Sequence, residues 1–266
     1  MMPQELQLLE SGSKNKTLHT FTHLNRSRSY REKCGLFAME GYRLVLDALQ
    51  CGAEIQALLL TKSSFENYGD ALFSNLPNVH TLLVSDALAK EIADTETAQG
   101  VFAIGKMRQE LEALPQSGSR CLLLHCLQDP ANLGAILRTA DALGTDGVYL
   151  YHCCDLYNPK SVRSSMGALF RVPLKQIDDM DAFFTHCRTN QIPTCAAVVD
   201  RDATHLKQFD FSSGAVVLIG NEGNGLPREV SDVCDYPLTI PMSPQANSLN
   251  AAMAAGLFLW EMTRYL

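Results

Sequence analysis

Three polar loops contain the residues whose types and spacing could support chemistry. Each loop follows an apolar run and holds more Gly, Pro or Asn than a simple connection needs; the loops span residues 129–144, 216–226 and 240–256. Because open α/β sheets bind ligands at the carboxyl ends of their strands, we expect these loops to form a binding site.

The first loop places Asn132 at the start of a predicted helix and Arg138 off the apolar stripe of that helix. Each residue also has an ordinary structural alternative. Asn132 has the side chain of a helix N-cap, and Arg138 could form a weak exposed pair with Asp141 at i+3. This loop alone therefore does not assign a function to either residue.

The second loop sets Glu222 among three glycines within six residues. Glycines let a backbone approach a ligand closely or adopt positive φ, although a plain tight turn is an alternative. The third loop contains Ser248 and Asn250 ahead of a run of Ala and Gly. Ser248 is the expected cap of a helix over residues 248–265, whose small residues would let a neighbouring element pack at short range.

The side chains of these loops restrict the type of reaction. The loops contain no His and no Cys, which does not suit acyl transfer by a nucleophile–base pair and predicts no metal site. Neither the dinucleotide fingerprint G-x-G-x-x-G nor a G-x-x-x-x-G-K phosphate loop is present, which argues against a nucleotide-dependent oxidoreductase. The composition suits a reaction in which a cofactor supplies the reactive group and the protein positions it.

Strand and helix patterns alternate along both halves of the chain, which predicts a small α/β module in the first half and a parallel-dominated sheet with helices on both faces in the second. A charged stretch followed by Pro, Gly and Ser at residues 107–119 is typical of a linker. We therefore expect two domains, at 18–106 and 120–266. Within the second domain, the apolar run 169–174 predicts a short strand.

Composition and charge limit the function further. The chain has 266 residues, of which 46% are hydrophobic, and this composition excludes a disordered chain. Its net charge of -7 excludes a protein that binds nucleic acid over its whole surface. Nine Cys without a CxxC pair predict reduced thiols, and the polar first residues predict neither a signal nor a transit peptide. No apolar run is long enough to span a bilayer. We expect a cytoplasmic protein without a membrane segment.

Three motifs occur in a fixed order: D-P-x-N-x-G-A-I-x-R-T-A, L-I-G-N-E-G-x-G-L and I-P-M-x(5)-S-L-N-x-A-x-A. Together they resemble the signature motifs of the SpoU (TrmH-like) branch of the SPOUT RNA methyltransferases. Residues 163–168 are similar to the R-x-S-x-G-A segment of that branch, and residues 37–41 to the F-x-x-E-G start of its small RNA-binding domain. The resemblance covers about residues 20–265.

The resemblance implies a C-terminal trefoil-knotted SPOUT methyltransferase domain of α/β class, preceded by a small L30e-like substrate-binding domain. It implies transfer of a methyl group from S-adenosyl-L-methionine to a ribose 2′-hydroxyl in structured RNA, with rRNA favoured over tRNA, by a homodimer. Two alternatives stay open: a tRNA ribose 2′-O-methyltransferase, and a non-catalytic RNA-binding or ribosome assembly factor of the same fold.

The resemblance also assigns roles to individual residues. Catalytic or supporting roles are implied for Asn132, Arg138, Glu222, Ser248 and Asn250, and cofactor binding for Gly220, Ile240, Met242 and Leu249. The basic residues expected to contact RNA are Arg26, Arg28, Arg31, Lys33 and Arg163, although a solvated helix face is the ordinary alternative for the first four. The family proposal has the arginine act as a base from the partner subunit. Because Arg stays protonated, stabilisation of the developing alkoxide, or relay through a phosphate, is easier to defend.

Overall fold

The computed structural model describes residues 8–76, 78–108 and 113–265, which belong to two compact units. The first unit consists of the chain up to Arg108 together with Tyr157–Phe170, and the second of Gln109–Leu156 and Arg171–Leu266. A segment from the second half of the sequence thus groups with the first unit. The predicted domains are contiguous and contain no such exchange, and residues 109–112 of the predicted linker lie outside the described residues.

The first unit is built on a mixed sheet with five described strands in the order β1–β4–β3–β5–β2. Strands β1, β4 and β3 are parallel, and β5 runs antiparallel to both β3 and β2. Its elements are β1 (Leu8–Leu9), α1 (Lys16–Arg26), α2 (Arg28–Cys34), β2 (Leu36–Glu40), α3 (Tyr42–Gln50), β3 (Ile55–Leu60), α4 (Lys62–Asn75), β4 (His80–Val84), α5 (Asp86–Ile92) and β5 (Val101–Lys106).

Helix α1 is fixed to this sheet by one apolar face. Asn15 caps the helix by accepting hydrogen bonds from the amides of Thr17 and Leu18. Its buried residues, Leu18, Phe21 and Leu24, belong to the core over the sheet. The opposite face of α1 is left to solvent, as the solvated-face alternative predicts.

The second unit is built on a parallel sheet with seven described strands in the order β10–β12–β9–β11–β6–β7–β8. Its elements are β6 (Arg120–His125), α6 (Pro130–Ala142), β7 (Gly147–Tyr151), β8 (Leu174–Gln176), α8 (Met180–Thr189), β9 (Thr194–Ala197), β10 (Thr204–His205), β11 (Ala215–Ile219), α9 (Arg228–Ser231), β12 (Tyr236–Thr239) and α10 (Ala251–Met262). Helix α7 (Pro159–Ser164) lies between β7 and β8 in the sequence but groups with the first unit. The α/β class and the parallel sheet are confirmed.

The predicted strand at 169–174 is wrong. A 3-10 helix occupies Ala168–Phe170, and β8 begins only at Leu174. Met166 and Gly167 both have positive φ, at 48° and 82°. This left-handed turn redirects the chain, so the apolar residues after it cannot continue as an extended strand.

Among the described residues, no helix is long and apolar enough to cross a bilayer.

Candidate active site

The carboxylate of Glu222 joins the ends of two neighbouring strands. Glu222 follows β11, and it accepts hydrogen bonds from the amides of Gln128 (3.0 Å) and Asp129 (2.9 Å) and from Asn132 Nδ2 (3.0 Å). All three donors lie after β6 and in the first turn of α6. Because β6 and β11 are paired, one carboxylate ties the first two polar loops together.

These hydrogen bonds also determine the charge of Glu222, whose carboxyl pKa lies below its ordinary value. Partial desolvation acts to raise this pKa, but the donors from Asn132, Gln128 and Asp129 together outweigh it. Glu222 is therefore ionised at neutral pH. It serves as an acceptor that holds its donors in place rather than as a proton donor.

Asn132 links this carboxylate to the third loop. Asp129 caps α6, with Pro130 at its first position, so the predicted cap role of Asn132 is wrong. Asn132 Oδ1 instead accepts a hydrogen bond of 3.0 Å from Asn250 Nδ2. Three residues from three loops, Glu222, Asn132 and Asn250, thus form one continuous network.

Asn250 fixes the direction of that network. Its Oδ1 accepts from the amides of Ala252 (2.9 Å) and Met253 (3.2 Å), so it caps α10 and only its Nδ2 remains to donate to Asn132. The helix therefore begins at Ala251, and the predictions of Ser248 as its cap and of a helix from residue 248 are wrong. Ser248 and Leu249 lie in the loop just before the cap.

The glycine-rich loop is closed by Asn221, which the sequence analysis did not single out. Asn221 Oδ1 accepts from the amide of Gly223 (2.8 Å), and its Nδ2 donates to the carbonyl of Cys126 (2.9 Å). A Cβ added to Gly220 would lie 2.1 Å from the carbonyl carbon of Gly225, so the loop has no room for a side chain there. An Asn beside glycines at a strand end is the signal that could have identified Asn221.

A cleft of about 1210 Å³ opens beside this loop. All four predicted cofactor residues line it, as do Glu222 and Ser248 from the predicted catalytic set; the four are Gly220, Ile240, Met242 and Leu249. Asn132 and Asn250 support the cleft through Glu222 and α10 without being part of its lining. Two acidic residues of the lining, Asp200 and Asp232, were missed by sequence reasoning, although Asp200 follows a predicted strand.

Arg138 does not join this network. It is exposed on α6, and no hydrogen bond or ion pair connects its side chain to another described residue. The alternative pair with Asp141 is not formed, and Asp141 Oδ2 accepts from Arg171 at 2.8 Å. Arg138 lies about 9 Å along the helix axis from Asn132 and on a different side of the helix. Its guanidinium is therefore available to a group outside its own cleft.

The sequence matches the SpoU rRNA Methylase family over residues 119–260 and the MRM3-like substrate binding domain over residues 15–103. The chain belongs to the SpoU rRNA methylase family. The first match covers more than half of the chain and contains all three motif loops. The predicted family is confirmed, and an N-terminal substrate-binding domain is present.

Relatives of this SpoU chain match it over almost its full length. An uncharacterised tRNA/rRNA methyltransferase of Synechocystis is 32% identical over 96% of this chain and 93% of its own length. The 23S rRNA (uridine(2479)-2′-O)-methyltransferase of Streptomyces viridochromogenes is 30% identical over 95% and 91%. The crystal structure of an AdoMet-bound rRNA methyltransferase from Sinorhizobium meliloti has a TM-score of 0.84, with 29% identity over 98% of this chain and 99% of that chain.

The basic residues predicted to contact RNA in the SpoU chain differ in exposure. Arg26 and Lys33 are exposed, and Arg28 is exposed while paired with Glu32 at 2.7 Å. Arg31 is only 3% exposed and donates to the carbonyl of Leu24, which fixes α2 against α1. The prediction of Arg31 as an RNA contact is therefore wrong, because its guanidinium is buried between these helices.

Arg163 is held within the first unit. It forms an ion pair with Asp94, whose amide donates to Glu40 Oε2 at 2.8 Å. Glu40 is the glutamate of the segment similar to F-x-x-E-G, and it also accepts from the hydroxyl of Thr95. This part of the SpoU motif set thus has a structural role, because it joins β2, the turn after α5 and α7.

Proposed function

We propose that this chain transfers a methyl group from S-adenosyl-L-methionine to the 2′-hydroxyl of a ribose in rRNA. The observation that carries the proposal is the Glu222–Asn132–Asn250 network, which holds three signature loops around one cleft. The relatives confirm the predicted class of activity and the cofactor. Two of them are named as 23S rRNA 2′-O-methyltransferases, and one solved structure is an AdoMet-bound rRNA methyltransferase.

The chemistry of the cleft fits this cofactor. S-adenosyl-L-methionine has an adenine ring with apolar faces, two cationic groups (a sulfonium and an ammonium) and one carboxylate, and Arg228 is a cation of the lining that suits the carboxylate. Ile240 and Leu249 offer apolar contacts, and the carboxylates of Glu222, Asp200 and Asp232 supply negative charge along the same lining. When bound, the cofactor supplies a methyl group already activated by its sulfonium.

The network positions the residues that would meet the reacting groups. Glu222 stays ionised and keeps the first and second loops together, while Asn250 holds the start of α10 and so places Ser248 and Leu249 at the cleft. Positioning of this kind lowers the barrier by fixing the approach of the ribose oxygen. None of these residues needs to change its protonation state.

Arg138 supplies charge to the reaction. A ribose hydroxyl is a weak nucleophile at neutral pH, so negative charge develops on its oxygen as the proton leaves. A guanidinium remains protonated and stabilises that charge electrostatically, with the proton passing to water or to an RNA phosphate.

The exposed apolar side of α10 supports a homodimer joined through this helix. Met253, Leu257 and Trp260 lie along one side of α10 at spacings of four and three, and they are 62%, 40% and 61% exposed. Such a stripe on a helix surface is typical of an interface. In a two-fold dimer the same surfaces meet, and Arg138 on the adjacent helix α6 would reach the cleft of the second copy.

Two further features belong to the proposal. A cytoplasmic location is supported by the nine cysteines, all of which are free thiols. The trefoil knot and the L30e-like form of the first domain are proposed on the resemblance to the family.

The function is tested by incubating the purified chain with S-adenosyl-L-methionine and unmodified rRNA, followed by mapping of ribose methylation. We expect one 2′-O-methylated nucleotide in 23S-type rRNA, and binding of the cofactor by calorimetry. Methylation of tRNA alone would favour the tRNA alternative. A chain that binds rRNA without binding the cofactor would be an assembly factor.

The dimer is tested through the chain's single tryptophan, Trp260. Burial of Trp260 between two copies shifts its fluorescence to shorter wavelength, so we expect a shift to longer wavelength on dilution. Trp260→Glu should give a monomer by sedimentation. A chain that stays monomeric at high concentration would overturn the proposed interface.

A further inference from the structure

We propose that the exposed face of α1 is a stacking platform for unpaired bases of the RNA substrate, formed by His19, His23 and Tyr30. The inference rests on the proposed function, since it names the RNA feature that the first unit binds. It assigns a role to rings that none of the motifs contains.

The rings form a continuous exposed group. The His19 and His23 rings are stacked with centroids 4.0 Å apart and an interplanar angle of 27°, and the His23 and Tyr30 rings lie 5.4 Å apart. His19 and His23 are exposed, and Tyr30 is partly buried. Solvent therefore reaches the rings of His19 and His23, while Tyr30 packs against the core of the first unit and supports them.

The platform is rigid before any ligand binds. On its other side α1 packs Leu18, Phe21 and Leu24 into the core of the first unit. The Nδ1 atom of His23 donates to the carbonyl of His19 at 3.0 Å, because a carbonyl can only accept, and this bond fixes the ring. Stacking of a base on these rings would therefore cost the protein little conformational entropy.

The charges around the rings match a polyanion. Lys16, His19, His23 and Arg26 follow one another at spacings of three, four and three, which places them along one side of α1. Lys16 and Arg26 have no ion-pair partner among the described residues, and α1 contains no acidic residue. Residues 14–34 contain six Lys or Arg and one Glu, in a chain whose net charge is -7.

Rings with flanking cations distinguish unpaired RNA from duplex RNA. In a duplex the base faces are already stacked on each other, so only the phosphates meet the cations. Unpaired bases in loops expose their faces, and stacking on aromatic side chains is the usual way in which proteins bind them. The region also lies within the matched substrate-binding domain, which begins at residue 15.

The test compares two fluorescent RNA probes with the full-length protein: a hairpin with an unpaired adenosine loop, and a blunt duplex with the same number of phosphates. His19→Ala/His23→Ala should weaken hairpin binding about tenfold and leave duplex binding nearly unchanged. His19→Phe/His23→Phe should restore hairpin binding, because it keeps the rings. His80→Ala/His205→Ala is the matched control, since it removes two exposed histidines from elsewhere.

Each outcome has a definite meaning. A selective loss for the hairpin with rescue by Phe supports the platform, and equal loss for both probes overturns it in favour of a general phosphate contact. If the Ala variant binds the hairpin like the wild type while the wild type methylates rRNA, the platform is overturned and the proposed function stands. If the wild type neither binds RNA nor transfers a methyl group, both proposals are overturned.

Discussion

The cleft of the second unit and helix α1 of the first unit hold their charged groups in opposite ways. In the second unit, Glu222 accepts from three donors, and Asn132 and Asn250 extend the chain of bonds to α10. In the first unit, cations such as Lys16 and Arg26 lie in solvent without a charged partner among the described residues. Residues in one network act together and give non-additive effects, whereas exposed charges act separately and are screened by salt.

The largest effect is expected from Arg138, a cation of the second unit that is exposed and unpaired among the described residues, like those of α1. Arg138→Ala should lower the rate of methyl transfer by about 10²–10³-fold, because it removes the positive charge that stabilises the alkoxide. Cofactor binding by calorimetry should be unchanged, since Arg138 does not line the cleft. Arg188→Ala, at an exposed position on α8, is the matched control. Near-normal turnover of Arg138→Ala would remove the residue from the mechanism.

Mixed dimers sharpen this prediction. If Arg138 serves the cleft of the second copy, a mixture of Arg138→Ala with Glu222→Gln contains heterodimers with one intact site. Statistical exchange of a two-fold dimer should then restore about a quarter of the wild-type rate. A mixture that stays inactive after subunit exchange would mean that one copy supplies both Arg138 and Glu222 to each site.

The next largest effect concerns the network itself. Glu222→Gln and Asn132→Ala should each lower kcat/KM by about tenfold to a hundredfold, since each removes hydrogen bonds to or from a charged group. The double variant should be little worse than the poorer single variant, because both break the same chain of bonds. Full additivity in this double-mutant cycle would show that the two side chains act independently. Asn67→Ala, at an exposed position on α4 that is not part of the cleft lining, is the control.

The lowered pKa of Glu222 also predicts how Glu222→Gln affects the pH dependence of activity. Its folded pKa is lowered from the ordinary value of 4.5, so the stability that its bonds provide is present above that value. That stability is lost only as pH falls through the lower, folded pKa. Glu222→Gln should therefore not change the pH dependence of activity between neutral pH and the ordinary carboxyl range.

A smaller effect, on stability, is expected from the glycine loop. Gly220→Ala places a Cβ against the backbone of Gly225, which cannot move aside as a flexible side chain would. We expect a loss of about 1–3 kcal/mol in the free energy of unfolding, read as a lower Tm, together with weaker cofactor binding. Gly223→Ala should be nearly neutral, since its Cβ would meet only Asn221 Oδ1 at 3.4 Å. Equal Tm values for the two variants would contradict the tight loop.

The sequence predicts which loops form the cleft better than it predicts which basic residues are exposed, for a physical reason. The loops around Asn132 and Glu222 follow parallel strands, and such loops always emerge at one edge of the sheet. The hydrogen bond that joins these two residues across 90 positions was not predicted, because no local pattern reports a tertiary hydrogen bond. The cap error at Asn132 was avoidable, since Pro130 marks the first position of α6 and therefore Asp129 as its cap.

Other features had no local signal. The segment Tyr157–Phe170 groups with the first unit through tertiary contacts such as the ring contact between Phe37 and Tyr157, 4.9 Å between centroids. Arg31 has the same sequence context as its basic neighbours, and its burial depends on the angle between α1 and α2. That angle is set at Ser27, which ends one helix and caps the next. Spacing alone does not determine such an angle.

The smallest effect separates Arg31 from the exposed cations beside it. Arg26→Ala should weaken RNA binding only several-fold and reduce the dependence of log Kd on log salt by about 0.7, the value for one phosphate contact with a single strand. Arg31→Ala should leave that slope unchanged and lower the Tm, because its guanidinium holds Leu24 and is not in solvent. Binding titrations over a series of salt concentrations, with thermal melts of both variants, measure the two quantities. If Arg31→Ala reduces the slope as much as Arg26→Ala, Arg31 contacts RNA and its difference from the exposed cations beside it is overturned.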